Sequence, residues 1–275
     1  MRGLPDSFDR GFFPHAPRIE ALAHRLHAQA LQGHFSAAAL TRAELERHLA
    51  SGRHPLSESQ GLWCLAYVHQ QRGECESAAV LCERALARMS GHDANPGKPL
   101  HLALLACTCA SLGALERGET LAREAIQRHS EQRTRMAQVV IHKLAGAALL
   151  RAGELREARE LIDAALRLSA DPGNCFGLAD ALGLLGELQW REARDGPLAE
   201  STLRRAIGVA REQRAVLLEV HACDRLAALW DALDRTADAC ALMREVLARL
   251  DAQADAPQLG AVRERQAVRY SASAT

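Results

Sequence analysis

Aromatic side chains are scarce in this chain of 275 residues, at 4% of the total. Charge of one sign is missing too: Lys plus Arg and Asp plus Glu both count 34, so the formal net charge is zero. A neutral chain has no global basic field to draw in a phosphate backbone, and direct nucleic-acid binding is not expected. No apolar run approaches the length of a membrane span. The opening "MRGLPDSFDRGFFPHAP" sets Pro, Gly and Asp where a secretory signal needs an apolar core. Metal chemistry finds no template either. There is no Cys-x2-Cys pair, Cys107 and Cys109 project to different sides of a helix, and His24 with His27 lack a second ligand pair. Phosphate-loop, nucleophile-elbow and His-Glu-x2-His patterns are also absent, so catalysis and a cofactor are not expected. The eight cysteines fall mostly inside helical patterns, which suits reduced thiols in a cytoplasm.

What the chain has is a helix former's alphabet rich in Ala, Leu, Arg and Glu, with 48% apolar residues to build a core. It also has internal repeats. Small-residue steps recur at Leu65-Ala66, Leu105-Ala106, Ala145-Gly146, Leu185-Gly186 and Leu226-Ala227, spaced 40, 40, 40 and 41. A second series, Ala38, Ala78, Gly118, Ala158, Ala199 and Ala239, keeps the same period. Between them lie Gly33, Gly73, Gly113 and Gly153; the glycine is then lost at "WREARDGPL" and "ALDRTAD". Apolar residues at i, i+3, i+4 and i+7 on both sides of each turn predict antiparallel helix pairs. The small residues mark the closest crossings, where a bulky side chain would push two helices apart. A glycine between the helices supplies the left-handed residue that stops the first.

This pattern resembles the tetratricopeptide (TPR) repeat. In the second pair, Leu62, Leu65, Ala66 and His69 stand at first-helix positions of that motif, with Ala78, Cys82 and Ala85 at second-helix positions. The sixth pair has Cys223, Leu226, Ala227 and Trp230, then Ala239, Met243 and Val246. Here the motif's Trp and Pro positions hold neither residue, and six residues beyond the usual period of about 34 add about 9 Å of helix per repeat. Residues 199 to 250 are similar to the TPR-type C-terminal modules of bacterial ATPase-linked adenylate cyclases and ATP-dependent transcription activators; from about 57 to 198 the likeness is to TPR repeats in general. No nucleotide-binding, cyclase or helix-turn-helix segment is legible, so those activities are not carried over.

The expected fold is therefore all-α: a right-handed α-solenoid of about six TPR-like pairs over residues 17–251, behind an N-terminal arm at 1–16. The first pair is degenerate. Residues 252–275 are expected to form a capping helix, with Asp255 as N-cap and Gln258 at N3, and a frayed tail. Such solenoids bind along the concave surface formed by the first helix of each pair. Projected there are Gln60, Trp63, Tyr67, Gln70, Cys107, Lys143, Arg151, Glu187, Trp190, Arg191, His221 and Asp224. Trp63, Tyr67 and Trp190 read either as recognition anchors or as packing between helices, whereas Trp230 reads as core. Lys143 lacks the following Asn of a carboxylate clamp, since Ala147 stands in its place. Lys143, Arg151 and Arg191 would hold an acidic peptide or a small anionic effector, or else are solvated surface charges.

The functional expectation is a cytoplasmic, non-catalytic adaptor binding a protein or peptide, in bacterial regulation or signalling. A small-effector sensor that changes curvature is the alternative, an enzyme with a site between helices comes third, and self-association through stack ends is open. Three of the five phenylalanines, Phe8, Phe12 and Phe13, lie in the N-terminal arm, which either docks on another protein or subunit or, as expected here, folds back over the first pair. Deleting residues 1 to 16 should then lower the melting temperature; an unchanged value would reject that role.

Overall fold

The computed structural model describes residues 16–50, 55–89, 95, 97–132, 137–170 and 177–253. The first twelve-residue-plus segments pair as α1 (Pro17–Leu31) with α2 (Phe35–Leu49), α3 (Pro55–Gln71) with α4 (Cys75–Arg88), and α5 (Lys98–Ser111) with α6 (Leu115–Gln132). They are followed by α7 (Gln138–Ala152) with α8 (Leu155–Leu168), α9 (Leu178–Ala193) with α10 (Gly196–Glu212), and α11 (Val216–Ala232) with α12 (Thr236–Gln253). No strand occurs among the described residues. The fold is an α-solenoid, with six helix pairs among the described residues, none of whose helices is long and apolar enough to cross a membrane.

The second helix of each pair buries one narrow stripe in a fixed register: Ala78, Cys82 and Ala85 in α4, Ala158, Ile162 and Ala165 in α8, Ala239, Met243 and Val246 in α12. That is the i, i+4, i+7 face of a helix with solvent on its other side. The central first helices, α5 and α7, are apolar nearly all round because they are packed on both flanks. In α5 every residue from Pro99 to Ala110 is buried. The small residues sit at the crossings. A Cβ on Gly118 would stand 3.0 Å from the Ala106 carbonyl oxygen, and one on Gly186 would stand 2.6 Å from Leu203 Cγ.

The turns keep the repeat where the sequence loses it. Gly33, Gly73, Gly113 and Gly153 all have positive φ, and at the next two turns Arg194 (φ 53°) and Asp234 (φ 60°) take that conformation. The helix stop is thus set by backbone geometry, as in the N–H of Glu74 bonding the carbonyl of His69 and that of Arg235 bonding Trp230. Arg194 also lays its guanidinium 5.0 Å from the centre of the Trp190 ring. The extra residue falls at the end of α9, which runs Leu178–Ala193 where α7 runs Gln138–Ala152, and Asp195 then caps α10 by accepting from the Leu198 amide at 3.0 Å. Ion pairs join successive outer helices, Arg117 to Glu83 and Arg123 to Glu157, while Arg159 of α8 pairs with Glu192 of α9 and Arg235, just before α12, with Glu200 of α10.

The first helices form a row, α1, α3, α5, α7, α9 and α11, each against the next, and α11 returns to touch α1. Phe35, at the start of α2, is buried in the same apolar cluster as Leu182 and Leu217. The concave face expected to be an open groove is therefore narrowed into a half-open pocket. Ala16, the last residue of the arm, is buried, and its amide donates to Ser57 Oγ at 2.7 Å. The arm's phenylalanines and the proposed capping helix lie outside the described residues.

Substituting Gly186→Ala should lower unfolding stability by about 1–3 kcal/mol through overpacking against Leu203. The double substitution with Leu203→Ala should be less destabilising than the sum of the singles, because the added methyl occupies vacated space. Additive losses in chemical denaturation would show that α9 and α10 do not cross at Gly186.

Candidate ligand cavity on the concave face

This half-open cavity has a volume of about 670 Å³ and is lined mainly by α3, α5, α7, α9 and α11. Of the residues projected onto the groove, Gln70, Cys107, Lys143, Arg151, Glu187, Trp190, Arg191, His221 and Asp224 line it. Gln60, Trp63 and Tyr67 do not. Gln60 is half-buried and turns its amide to Cys64 Sγ, while Trp63 and Tyr67 are 4% and 1% exposed. Their rings stack at 4.9 Å and 16°, and His27 of α1 packs edge-on against both. The packing alternative holds for these two aromatics, because α1 covers the face of α3 that a simple projection leaves open. Trp230 is buried as well, with Arg204 and Arg235 over its ring.

The cavity floor is a buried charge bridge. Lys143, 1% exposed, donates from Nζ to Tyr67 Oη at 2.8 Å and to Asp180 Oδ2 at 2.9 Å. Arg225 Nη1 reaches the other carboxylate oxygen of Asp180 at 3.5 Å. Burial alone would raise the Asp180 pKa, but the charges of Lys143 and Arg225 outweigh it and hold the carboxyl well below the usual range. Burial likewise opposes the charge on Lys143; Asp180 and Tyr67 overcome it and hold the ammonium above its ordinary value. His27 is pushed down to about 3 by burial and by the Lys143 charge. Lys143 is thus fully occupied inside the protein, which removes it from the set expected to hold an acidic ligand.

Around the rim, Arg191 is held by Glu187 at 2.6 Å and by the Leu150 carbonyl at 2.7 Å. Arg225 Nε approaches the same Glu187 at 3.6 Å. Arg151 differs: its Nη1 meets the Ala147 carbonyl at 3.2 Å and Cys107 Sγ at 3.7 Å. Gln70 donates to the same sulfur at 3.6 Å. His221 bridges α11 to α3 by donating from Nε2 to the Gln71 carbonyl at 2.9 Å, and burial lowers its pKa against the pull of Asp180. Asp180, Arg225 and Gln71 were not anticipated as part of this site. A signal existed for one of them: a lysine within "VVIHKLAGAALL" needs a buried counter-charge, and "LADALGLL" supplies a carboxylate in an equally apolar run. The arrangement offers charge and hydrogen bonds to a polar ligand.

No protein-family model matches the sequence, and no curated protein matches it. Among solved structures, nearly identical TPR-like repeats of a Podosopora anserina protein described as a kinesin light chain align at a TM-score of 0.47 and 17% identity, covering 73% of this chain and 97% of the other. A substituted form of the same repeats gives 0.48 at 17% identity, over 71% and 95%.

Replacing Lys143→Met should cost about 3–5 kcal/mol of stability by leaving buried Asp180 with only the longer contact to Arg225, and adding Asp180→Leu should recover most of it. The signs of the shifts define the pH window. Asp180 has a depressed folded pKa, so its contribution is present above its unfolded value of about 4 and is lost as pH falls. Lys143 has a raised one, so its contribution is present below about 10 and fades as pH rises further. Denaturation midpoints unaffected by Lys143→Met would contradict the bridge.

Proposed function

We propose that this protein is a non-catalytic interaction module of the bacterial cytoplasm that takes a short segment of a partner protein into its concave cavity, in a regulatory or signalling role. The observation that carries the reading is the cavity itself. Five first helices from five successive pairs converge on one polar space whose size lies in the range of ligand sites. The half-buried Trp190 gives it an aromatic wall, and fixed charges at the rim give it orientation. At this volume the cavity suits a few residues of an extended chain rather than a folded surface or a long helix.

A second reading is favoured by one particular contact. Because α11 closes back on α1 and His221 ties it to Gln71, a ligand that enters must either fit beneath this closure or open it. A small effector that fitted would be held across pairs far apart in sequence and would tighten the superhelix, which is how a sensor would signal.

A photo-crosslinking side chain at Glu76, exposed on the cavity rim, separates the two readings from each other when compared with one at Leu40, 77% exposed elsewhere. The scaffold reading expects a polypeptide from native cytoplasm to be captured at position 76 and not at 40, with capture abolished by Trp190→Ala. A small molecule retained in native mass spectrometry, with no polypeptide captured, would replace it with the sensor reading. Equal capture at both positions would reject the cavity as the binding surface.

A further inference from the structure

The charges that line the cavity divide into those the protein has already used and those it has not. Four cations face it, Lys143, Arg151, Arg191 and Arg225, along with the carboxylates Glu76, Asp180, Glu187 and Asp224. Lys143 and Arg225 are spent on Asp180, and Arg191 and Arg225 on Glu187. Among the described residues no carboxylate stands within ion-pair distance of Arg151, although its planar five-donor head is suited to carboxylate recognition. No cation among the described residues pairs with Asp224 either. Glu76 is exposed at the rim, whereas Asp224 is half-buried.

A further polar group points the same way. Gln71 is 4% exposed and lines the cavity, yet its Oε1 has no hydrogen-bond partner among the described residues. Its amide nitrogen is turned away to Gln70 Oε1 at 2.8 Å. A buried acceptor left bare is destabilising, and a donor on a ligand would satisfy it. The main-chain carbonyl of this same Gln71 is tied to His221, one turn before Asp224 on α11. Bare acceptor and bare carboxylate therefore belong to the α3–α11 side. Arg151 of α7 shares the Cys107 sulfur of α5 with Gln70, which stands between it and Gln71.

We infer that the cavity is a site for a dipolar ligand, one group of which is anionic and meets Arg151 while another is a cationic donor that meets Asp224 and Gln71 Oε1. This rests on the cavity being the binding surface and names the chemistry it selects. A purely anionic ligand is disfavoured, because its second negative group would face Asp224 and a bare acceptor. The same dipolar chemistry occurs in an acidic and a basic side chain close together on a longer chain and in a short peptide with free termini.

The test uses the intact protein and tetrapeptide pools sorted by charge, with retained peptides identified by mass spectrometry. One set is blocked at both ends and carries one acidic and one basic, two acidic, two basic or no charged side chains. A second set, without charged side chains, has free termini. The expected result is enrichment of dipolar peptides by about tenfold over the di-acidic and di-basic sets, the scale of one charged hydrogen bond. Arg151→Gln should erase discrimination against the di-basic peptides only, and Asp224→Asn discrimination against the di-acidic ones only. A merely structural role for either residue would not produce that crossed pattern, and unchanged helicity and melting temperature confirm that both variants fold. Enrichment of blocked dipolar peptides points to a segment of a longer chain, and enrichment confined to free termini points to a short free peptide. Equal or greater retention of di-acidic peptides, retention without charge preference, or no retention would overturn the inference. Capture of a partner at position 76 together with any of those results would leave the scaffold reading standing and remove only the dipolar site.

Discussion

An ammonium group buried to 1% exposure must be matched by charge and hydrogen bonds, or the helix that carries it will not pack. Lys143 meets that requirement by drawing on two other helices, Tyr67 of α3 and Asp180 of α9, and through Asp180 on Arg225 of α11. Four first helices are thereby tied at one point of the concave face. The stack of helix pairs supplies the local curvature. The bridge fixes how far that curvature proceeds, because Tyr67 and Lys143 are separated by 76 positions in sequence and still touch. A buried pair of this kind adds little net stability over apolar packing, but it tolerates few alternative arrangements. Its consequence is specificity of shape: α11 reaches α1, and the groove becomes a cavity.

The rest of the fold is a repeated solution to one packing problem. Outer helices bury a narrow stripe in which Ala recurs, and the central first helices are apolar nearly all round because they lie between neighbours. Ion pairs along the outer helices add up to about 1 kcal/mol each at most, since they are exposed. They follow the repeat rather than create it. The cavity inherits its lining from the same periodicity, which brings part of every first helix from α3 to α11 to a common space.

Much of this was legible in the amino-acid sequence. The small residues at intervals of 40 gave both the pairing of helices and the crossing points, and the glycines gave the turns. Backbone conformation proved more persistent than residue type: Arg194 and Asp234 hold the left-handed position after the glycines stop. The candidate site was legible in part. Residues from Gln70 to Asp224 projected onto the concave side line the cavity, because the repeat register alone places them there. Trp63 and Tyr67 share that register and are nonetheless buried, since their exposure depends on α1 lying over them. Contacts such as His221 with Gln71 span 150 positions and leave no local pattern to read.

The central claim is that the Lys143 bridge closes the concave face by coupling helices that are distant in the chain. Hydrogen–deuterium exchange of the intact protein and of Lys143→Met tests it directly, helix by helix. The account predicts faster exchange in the last turn of α3 and in α9 and α11 together, while the α5–α6 pair, bound by its own crossing at Gly118, keeps its protection. Loss of protection confined to α7, with α3 and α11 unchanged, would contradict it.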